Sequence, residues 1–256
     1  MEKAKKVVPE GWFKWERPGI DFPFYDDDSV PAWHGWLLLG VSLFVAVALN
    51  VSVFLPVDRS VFKIIVVFLI PLVTLLFVAR GNIGTIIKKP RLGDILLILI
   101  VTVLSMVYSL AAGALSGFIV GAPTHGNPLM GETIDAGRIA LVFVQLFGEE
   151  LFKTNMMLGI LLLLFRRSGN RKSAIVIATL VTALVFGLAH YAAYGSLLQI
   201  LLIPGLGSII CLFAYLKTKN MLVTYVAHLI IDFIPFGLAT LGMLSAGTTA
   251  ASLFLL

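Results

Sequence analysis

Charged residues fall in clusters along this chain and leave long apolar intervals between them. Residues 37–55, 64–79, 95–122 and 173–216 contain no Lys, Arg, Asp or Glu. The interval 139–165 carries only Glu149, Glu150 and Lys153, and 221–256 is interrupted only by His228 and Asp232. A helix needs roughly 20 apolar residues to cross the hydrocarbon core of a bilayer. Each interval therefore reads as one crossing, except 173–216, which is long enough for two. Gly187, Gly195 and Pro204 offer places there to turn or break. Lipid leaves no partner for an open backbone, so the crossings are read as helices. The pattern predicts seven spans. The final interval holds one long span, or one span and a short eighth helix with Pro235 and Gly242 as candidate breaks.

Composition supports this pattern. Only 13% of the residues are charged and 59% are hydrophobic, whereas a soluble domain is about a quarter charged. The expected fold class is all-α, a polytopic transmembrane bundle of seven or eight helices. The basic residues supply an orientation. Lys3, Lys5, Lys6, Lys14 and Arg17 precede the first span, and Arg80, Lys88, Lys89 and Arg91 follow the second. Arg166, Arg167, Arg171 and Lys172 follow the fourth, and Lys217 and Lys219 follow the sixth. If the spans alternate, all of these share one side, and Arg59, Lys63 and Arg138 are left on the other. This places the N-terminus in the cytoplasm.

The net charge of +5 is thus a product of topology, and nucleic-acid binding is not expected. Cys211 is the only cysteine, which excludes an internal disulfide and a cysteine-based metal site. Residues 1–32 are charged and lack the apolar core of a cleavable signal peptide. They contain Trp12, Phe13, Trp15, Phe22, Phe24 and Tyr25. These aromatics are expected to form an interfacial anchor, with a cap near an active site as the alternative. The domain reading is a cytoplasmic or interfacial segment, 1–32, followed by one transmembrane domain, 33–256.

The polar residues inside the apolar intervals carry the chemistry. Glu149 and Glu150 are adjacent, so on a helix they point about 100° apart. One is expected to face a cavity and the other to bond to a neighbouring helix. His190 follows Phe186 by four residues, and Asp232 follows His228 by four, so each pair shares a helical face. Ionised groups buried singly in lipid are costly, and convergence on one protein-lined cavity is the cheaper arrangement. A carboxylate base, two histidines and a further carboxyl form a set suited to hydrolysis. A buried glutamate can take a proton from water, and a histidine can donate to the developing oxyanion. Glu149, His190 and His228 could instead ligate Zn²⁺ and activate a bound water. The HExxH and GxSxG patterns of common hydrolases are absent.

Glu149-Glu150, then Phe186-x-x-x-His190, then His228-x-x-x-Asp232 resembles the three motifs of the CAAX-protease and bacteriocin-processing (CPBP, or Abi) family of intramembrane endopeptidases. The stretch FAYLKTKNMLVTYVAHLIID, residues 213–232, is similar to the third-motif region of that family. The resemblance covers about residues 138–235. It implies an eight-helix or similar bundle with a catalytic cavity inside the membrane. By position it gives Glu149 and His190 the activation of water, and His228 and Asp232 the stabilisation of the oxyanion. Glu150 becomes the supporting carboxylate. No cofactor is expected, with Zn²⁺ as the alternative.

The chain departs from the family pattern at Thr154, where an arginine is usual, and Lys153 stands one position earlier. Asp232 stands where many members carry asparagine. The implied partners are the bilayer and a protein or peptide substrate, prenylated in one version of the activity. Two other readings compete: a non-catalytic member acting in bacteriocin immunity or membrane signalling, and a proton-coupled transporter. The absence of a repeated half argues against the transporter.

Overall fold

The computed structural model describes residues 11–56, 58–120 and 136–240, and for 59, 136, 138 and 235–240 the backbone alone. Every regular element among the described residues is helical. Helix α1, Ala32–Val51, runs into a 3₁₀ turn at Ser52–Phe54. Helix α2 is the segment 59–78, whose middle, Lys63–Leu69, is π-helical. Helices α3, α4 and α5 are Leu92–Val120, Ala136–Ser168 and Arg171–Ala189. Helix α6 covers 197–218 and contains a second π-helical stretch, Leu201–Leu206. Helix α7 is Met221–Thr240.

Five of these segments are long and apolar enough to cross a membrane: Ala32–Phe54, Ser60–Val78, Leu92–Val120, Arg171–Ala189 and Leu197–Thr218. The other two differ for plain reasons. Helix α4 carries Glu149, Glu150 and Lys153 at its centre, and the apolar part of α7 is shorter, Met221–Ile234. The protein is an all-helical, multi-pass integral membrane protein, and a bundle of seven or eight spans is consistent with these segments. Gly242 and everything after Thr240 lie outside the described residues.

Of the breaks expected in 173–216, only Gly195 makes a turn, with φ +66° between a one-turn helix, Tyr191–Tyr194, and α6. Gly187 lies inside α5, and Pro204 lies inside the π-helical stretch of α6. Proline lacks an N–H and its ring crowds the preceding turn of an α-helix; the wider π turn accommodates it. Pro235 likewise stays within α7.

Helix α4 occupies the centre, packed against α1, α2, α5 and α7. Leu151, Phe152, Met156, Met157, Leu158, Leu161 and Leu162 are all buried, so apolar residues surround this helix on every side. That position lets it carry charge, because its carboxylates face protein and not lipid. The peripheral helices instead turn apolar side chains outward, as α3 does with Leu96, Leu99, Val103 and Val107.

Glycines set the closest approaches. A Cβ on Gly148 would stand 2.6 Å from the carbonyl oxygen of Val67, in the π-helical part of α2. A Cβ on Gly187 would stand 2.6 Å from the carbonyl oxygen of Ile200, and 2.9 Å from the Cα of Gly205 in the π-helical part of α6. Small residues at such crossings are the usual means of bringing membrane helices together. Here they seat the irregular helices beside Glu149 and near His190.

The described part of the N-terminal segment binds the helix ends instead of lying apart as an anchor. Phe22 and Tyr25 are buried, while Phe13, Trp15 and Phe24 pack against the core. Arg171, at the start of α5, donates to both oxygens of Glu16 at 2.7 and 2.6 Å and to Asp21 at 2.6 Å. Lys219, between α6 and α7, reaches Glu16 at 2.5 Å, and Arg17 pairs with the buried Asp94 of α3. The basic connections after α2, α4 and α6 therefore meet this segment at one end of the bundle. Burial favours the neutral form of Glu16, yet the hydrogen bonds from Arg171 and Lys219 hold its carboxyl below the ordinary range. Burial lowers the Lys219 ammonium to about 8, although Glu16 works in the other direction.

Candidate active site

The site is built where α4 meets α7. Glu149 and Glu150 project from consecutive positions of α4 and reach opposite nitrogens of one imidazole. His228 Nδ1 lies 2.8 Å from Glu150 Oε1, a hydrogen bond in which the ring N–H donates to the carboxylate. His228 Nε2 lies 4.0 Å from Glu149 Oε2 and 3.9 Å from Asp232 Oδ2. The first spacing is a direct bond, and the other two leave the span that one bridging water or reacting oxygen fills. Helical geometry accounts for the pairing within α7, since Asp232 lies one turn beyond His228.

Glu150 is 2% exposed and is also met by Lys153 Nζ at 2.5 Å. A buried carboxylate needs such partners to offset the loss of hydration. Lys153 is itself 2% exposed, and its ammonium stands 4.6 Å from the centre of the Phe186 ring, a cation–π contact. The lysine thus takes up the charge pairing that an arginine at position 154 would be expected to supply. Thr154 is buried beside it.

Glu149 is held differently. Gln145, one turn earlier on α4, donates from Nε2 to Glu149 Oε1 at 3.0 Å. This leaves Oε2 directed towards His228. Gln145 was not singled out from the sequence, although its position four residues before Glu149 is the signal that marks it. Asp232 Oδ1 is buried with no hydrogen-bond partner among the described residues. A group of that kind costs free energy until a water or substrate satisfies it.

His190 is the C-cap of α5, and its Nδ1 lies 2.8 Å from the carbonyl oxygen of Phe186. The side chain satisfies a carbonyl that the helix end leaves open, and its Nε2 is the nitrogen left for chemistry. Its ring packs edge-on against Phe186, at 4.7 Å between centroids, and lies 6.3 Å from the ring of Tyr194. Phe186 therefore touches both Lys153 and His190 and links α5 to the carboxylate pair. The structure thus assembles Glu149, Glu150, Lys153, His228 and Asp232 by direct approach, and brings His190 to them through Phe186.

A metal would need a different gathering. Among the described residues, no three His, Cys, Asp or Glu side chains are grouped to hold an ion. The set Glu149, His190 and His228 does not form a ligand cluster, and Nδ1 of His190 is engaged with backbone.

A polytopic helical membrane protein with a buried Glu–Lys–His–Asp centre is the class that fold and site define. Residues 136–234 match the family model described as Type II CAAX prenyl endopeptidase Rce1-like. That stretch contains all three motifs, and in it the chain is similar to the CAAX-protease family. No curated protein and no solved structure matches the chain. The family supports a protease that acts on a peptide substrate in the membrane.

Proposed function

We propose that this protein is an intramembrane endopeptidase that uses Glu149 as the general base for attack of water on a peptide carbonyl. The observation that carries the proposal is the setting of His228, with Glu150 bonded to one nitrogen and, at the other, a gap of 4.0 Å to Glu149 and 3.9 Å to Asp232 that a shared water can bridge. Water in that gap loses a proton to Glu149 as its oxygen bonds to the carbonyl carbon. The carbonyl electron pair moves to oxygen, and the N–H on His228 Nε2 donates to the oxyanion. Glu150 fixes the ring and stabilises its positive charge. The tetrahedral intermediate collapses, the C–N bond breaks, and the proton held by Glu149, relayed by His190, leaves with the amine.

The substrate class favoured is a membrane-associated protein or peptide cut near its C-terminus, as in CAAX-type processing. Leader processing and regulatory proteolysis are the other forms of the same chemistry. We propose an N-terminus in the cytoplasm, an orientation supported by the basic connections after α2, α4 and α6, which gather at the end of the bundle met by residues 11–31. A non-catalytic, immunity-type member is the alternative; the Lys153–Glu150 pair favours the catalytic reading, because it gives Glu150 a cationic partner where position 154 has none.

The test is Glu149→Gln in the full chain reconstituted in liposomes, assayed on an internally quenched, S-farnesylated peptide with a C-terminal CAAX sequence. Cleavage is expected to fall by about 10²-fold or more, with peptide binding and folding retained. Full wild-type activity in this variant removes the proposal.

A further inference from the structure

Asn50 is a polar residue in the apolar interval 37–55, near the end of α1, and the chemistry above does not use it. Both N–H groups and the oxygen of its side chain are engaged. Nδ2 donates to the carbonyl oxygen of Ala46, one turn earlier on the same helix, at 2.9 Å, and to that of Leu188 at 3.0 Å. Oδ1 accepts from the backbone N–H of Ala192 at 2.9 Å. Carbonyls only accept and a backbone N–H only donates, so these partners fix which end of the amide is the oxygen.

Leu188 and Ala192 are four residues apart, and His190 lies midway between them. In an unbroken helix the N–H of Ala192 would bond to the carbonyl of Leu188. Here the amide of Asn50 stands between the two and completes both. The helix is interrupted at that point: α5 ends at Ala189, His190 is its C-cap, and a separate turn, Tyr191–Tyr194, follows. A side chain inserted into the i→i−4 ladder is one of the few causes of a sharp helix break. Within a membrane, backbone groups freed by a break need partners from neighbouring elements, and α1 supplies them through Asn50.

The break decides where His190 points. Its φ is −94°, which turns its Cβ by about 30° from the regular helical position. Its Nδ1 is tied back to the carbonyl oxygen of Phe186. The ring is thus held to α5 on one side of the break, while α1 holds the backbone two residues to either side.

We infer that Asn50 is a positioning residue for His190, which replaces the helical bond between Leu188 and Ala192 and so holds the break that aims the imidazole at the carboxylate centre. This rests on the endopeptidase reading above, in which His190 relays the proton from Glu149 to the leaving amine. Asn50 touches no reacting atom, and its amide neither gains nor loses a proton.

The experiment uses the full chain in liposomes and the same quenched, farnesylated CAAX peptide, with Glu149→Gln in parallel. Asn50→Leu keeps the size of the side chain and removes all three hydrogen bonds. It is expected to lower kcat about tenfold or more, with KM changed less than about twofold. The chain has four histidines, so protein labelled at histidine Cε1 gives a simple NMR spectrum in detergent, and the peak lost in His190→Ala assigns His190. In Asn50→Leu that resonance is expected to move while the His228 resonance stays in place. Asn50→Ala, whose side chain is too short to reach Leu188 or Ala192, is read in the same way and replaces Asn50→Leu if the latter does not fold. A folded variant with the wild-type kcat overturns the assignment of Asn50, and with Glu149→Gln inactive the endopeptidase reading stands. A fall in kcat with the His190 resonance unmoved also overturns it, because Asn50 then acts by packing elsewhere. If Glu149→Gln is fully active, or the wild-type protein leaves the peptide uncut, the underlying reading fails and takes this one with it.

Discussion

Glu150 and His228, 78 residues apart in sequence, share a hydrogen bond of 2.8 Å between α4 and α7. Through that bond a carboxylate that is itself held by Lys153 decides which nitrogen of His228 remains for substrate. In the proposed mechanism the adjacent glutamates divide the work, one supporting and one reacting, in keeping with their 100° separation on the helix.

The Glu150–Lys153 pair gives a stability prediction with a direction. Glu150→Gln leaves the buried ammonium of Lys153 without its counter-charge, and breaking a buried pair costs about 3–5 kcal/mol. Its melting temperature in detergent is expected to fall well below that of Glu149→Gln. Glu150→Leu combined with Lys153→Met is expected to recover most of the loss while staying inactive. A double variant less stable than Glu150→Gln would show that the pair contributes more than its separate burials cost.

Gly148 sits where α4 crosses the π-helical part of α2, next to Glu149. Gly148→Ala forces a methyl to within 2.6 Å of the Val67 carbonyl oxygen, so α2 must shift. Overpacking of this kind costs about 1–3 kcal/mol. Both thermal stability and kcat are expected to drop, because the displaced turn bears the base. Wild-type values for both would mean that α2 yields freely at this crossing.

Metal dependence separates the two hydrolytic mechanisms. Protein purified without added metal is expected to contain no stoichiometric zinc by elemental analysis, and cleavage is expected to survive chelation. Loss of cleavage on chelation, restored by Zn²⁺, would move Glu149, His190 and His228 to the role of ligands.

Lys219 gives a pH dependence. Its folded value is about 8, below the unfolded value of about 10.4. Between these values the unfolded chain holds a proton that the folded chain has lost, so stability rises with pH across that window. Below it, the buried charge is a constant cost. From pH 7 to 10 the melting temperature of the wild type is expected to rise relative to that of Lys219→Met. A flat or falling difference would mean that the bond to Glu16 outweighs burial.

Hydropathy and helical period mark the membrane class, the helices and the shared face of His228 and Asp232, because each depends on residues within a few turns of one another. The three motifs were legible for the same reason, and 136–234 matches the family they resemble. Other features needed the tertiary structure. Lys153–Glu150 and Gln145–Glu149 are neighbours within α4, but that Glu150 takes Nδ1 of His228 follows from how α4 is rotated against α7. That rotation is fixed by close crossings such as Gly148 on Val67, which no periodicity announces. The N-terminal aromatics read as an anchor because composition cannot distinguish a ring at the lipid surface from one packed over Arg171. Three-dimensional packing, with Glu16 between Arg171 and Lys219, made that segment a tie across the helix ends.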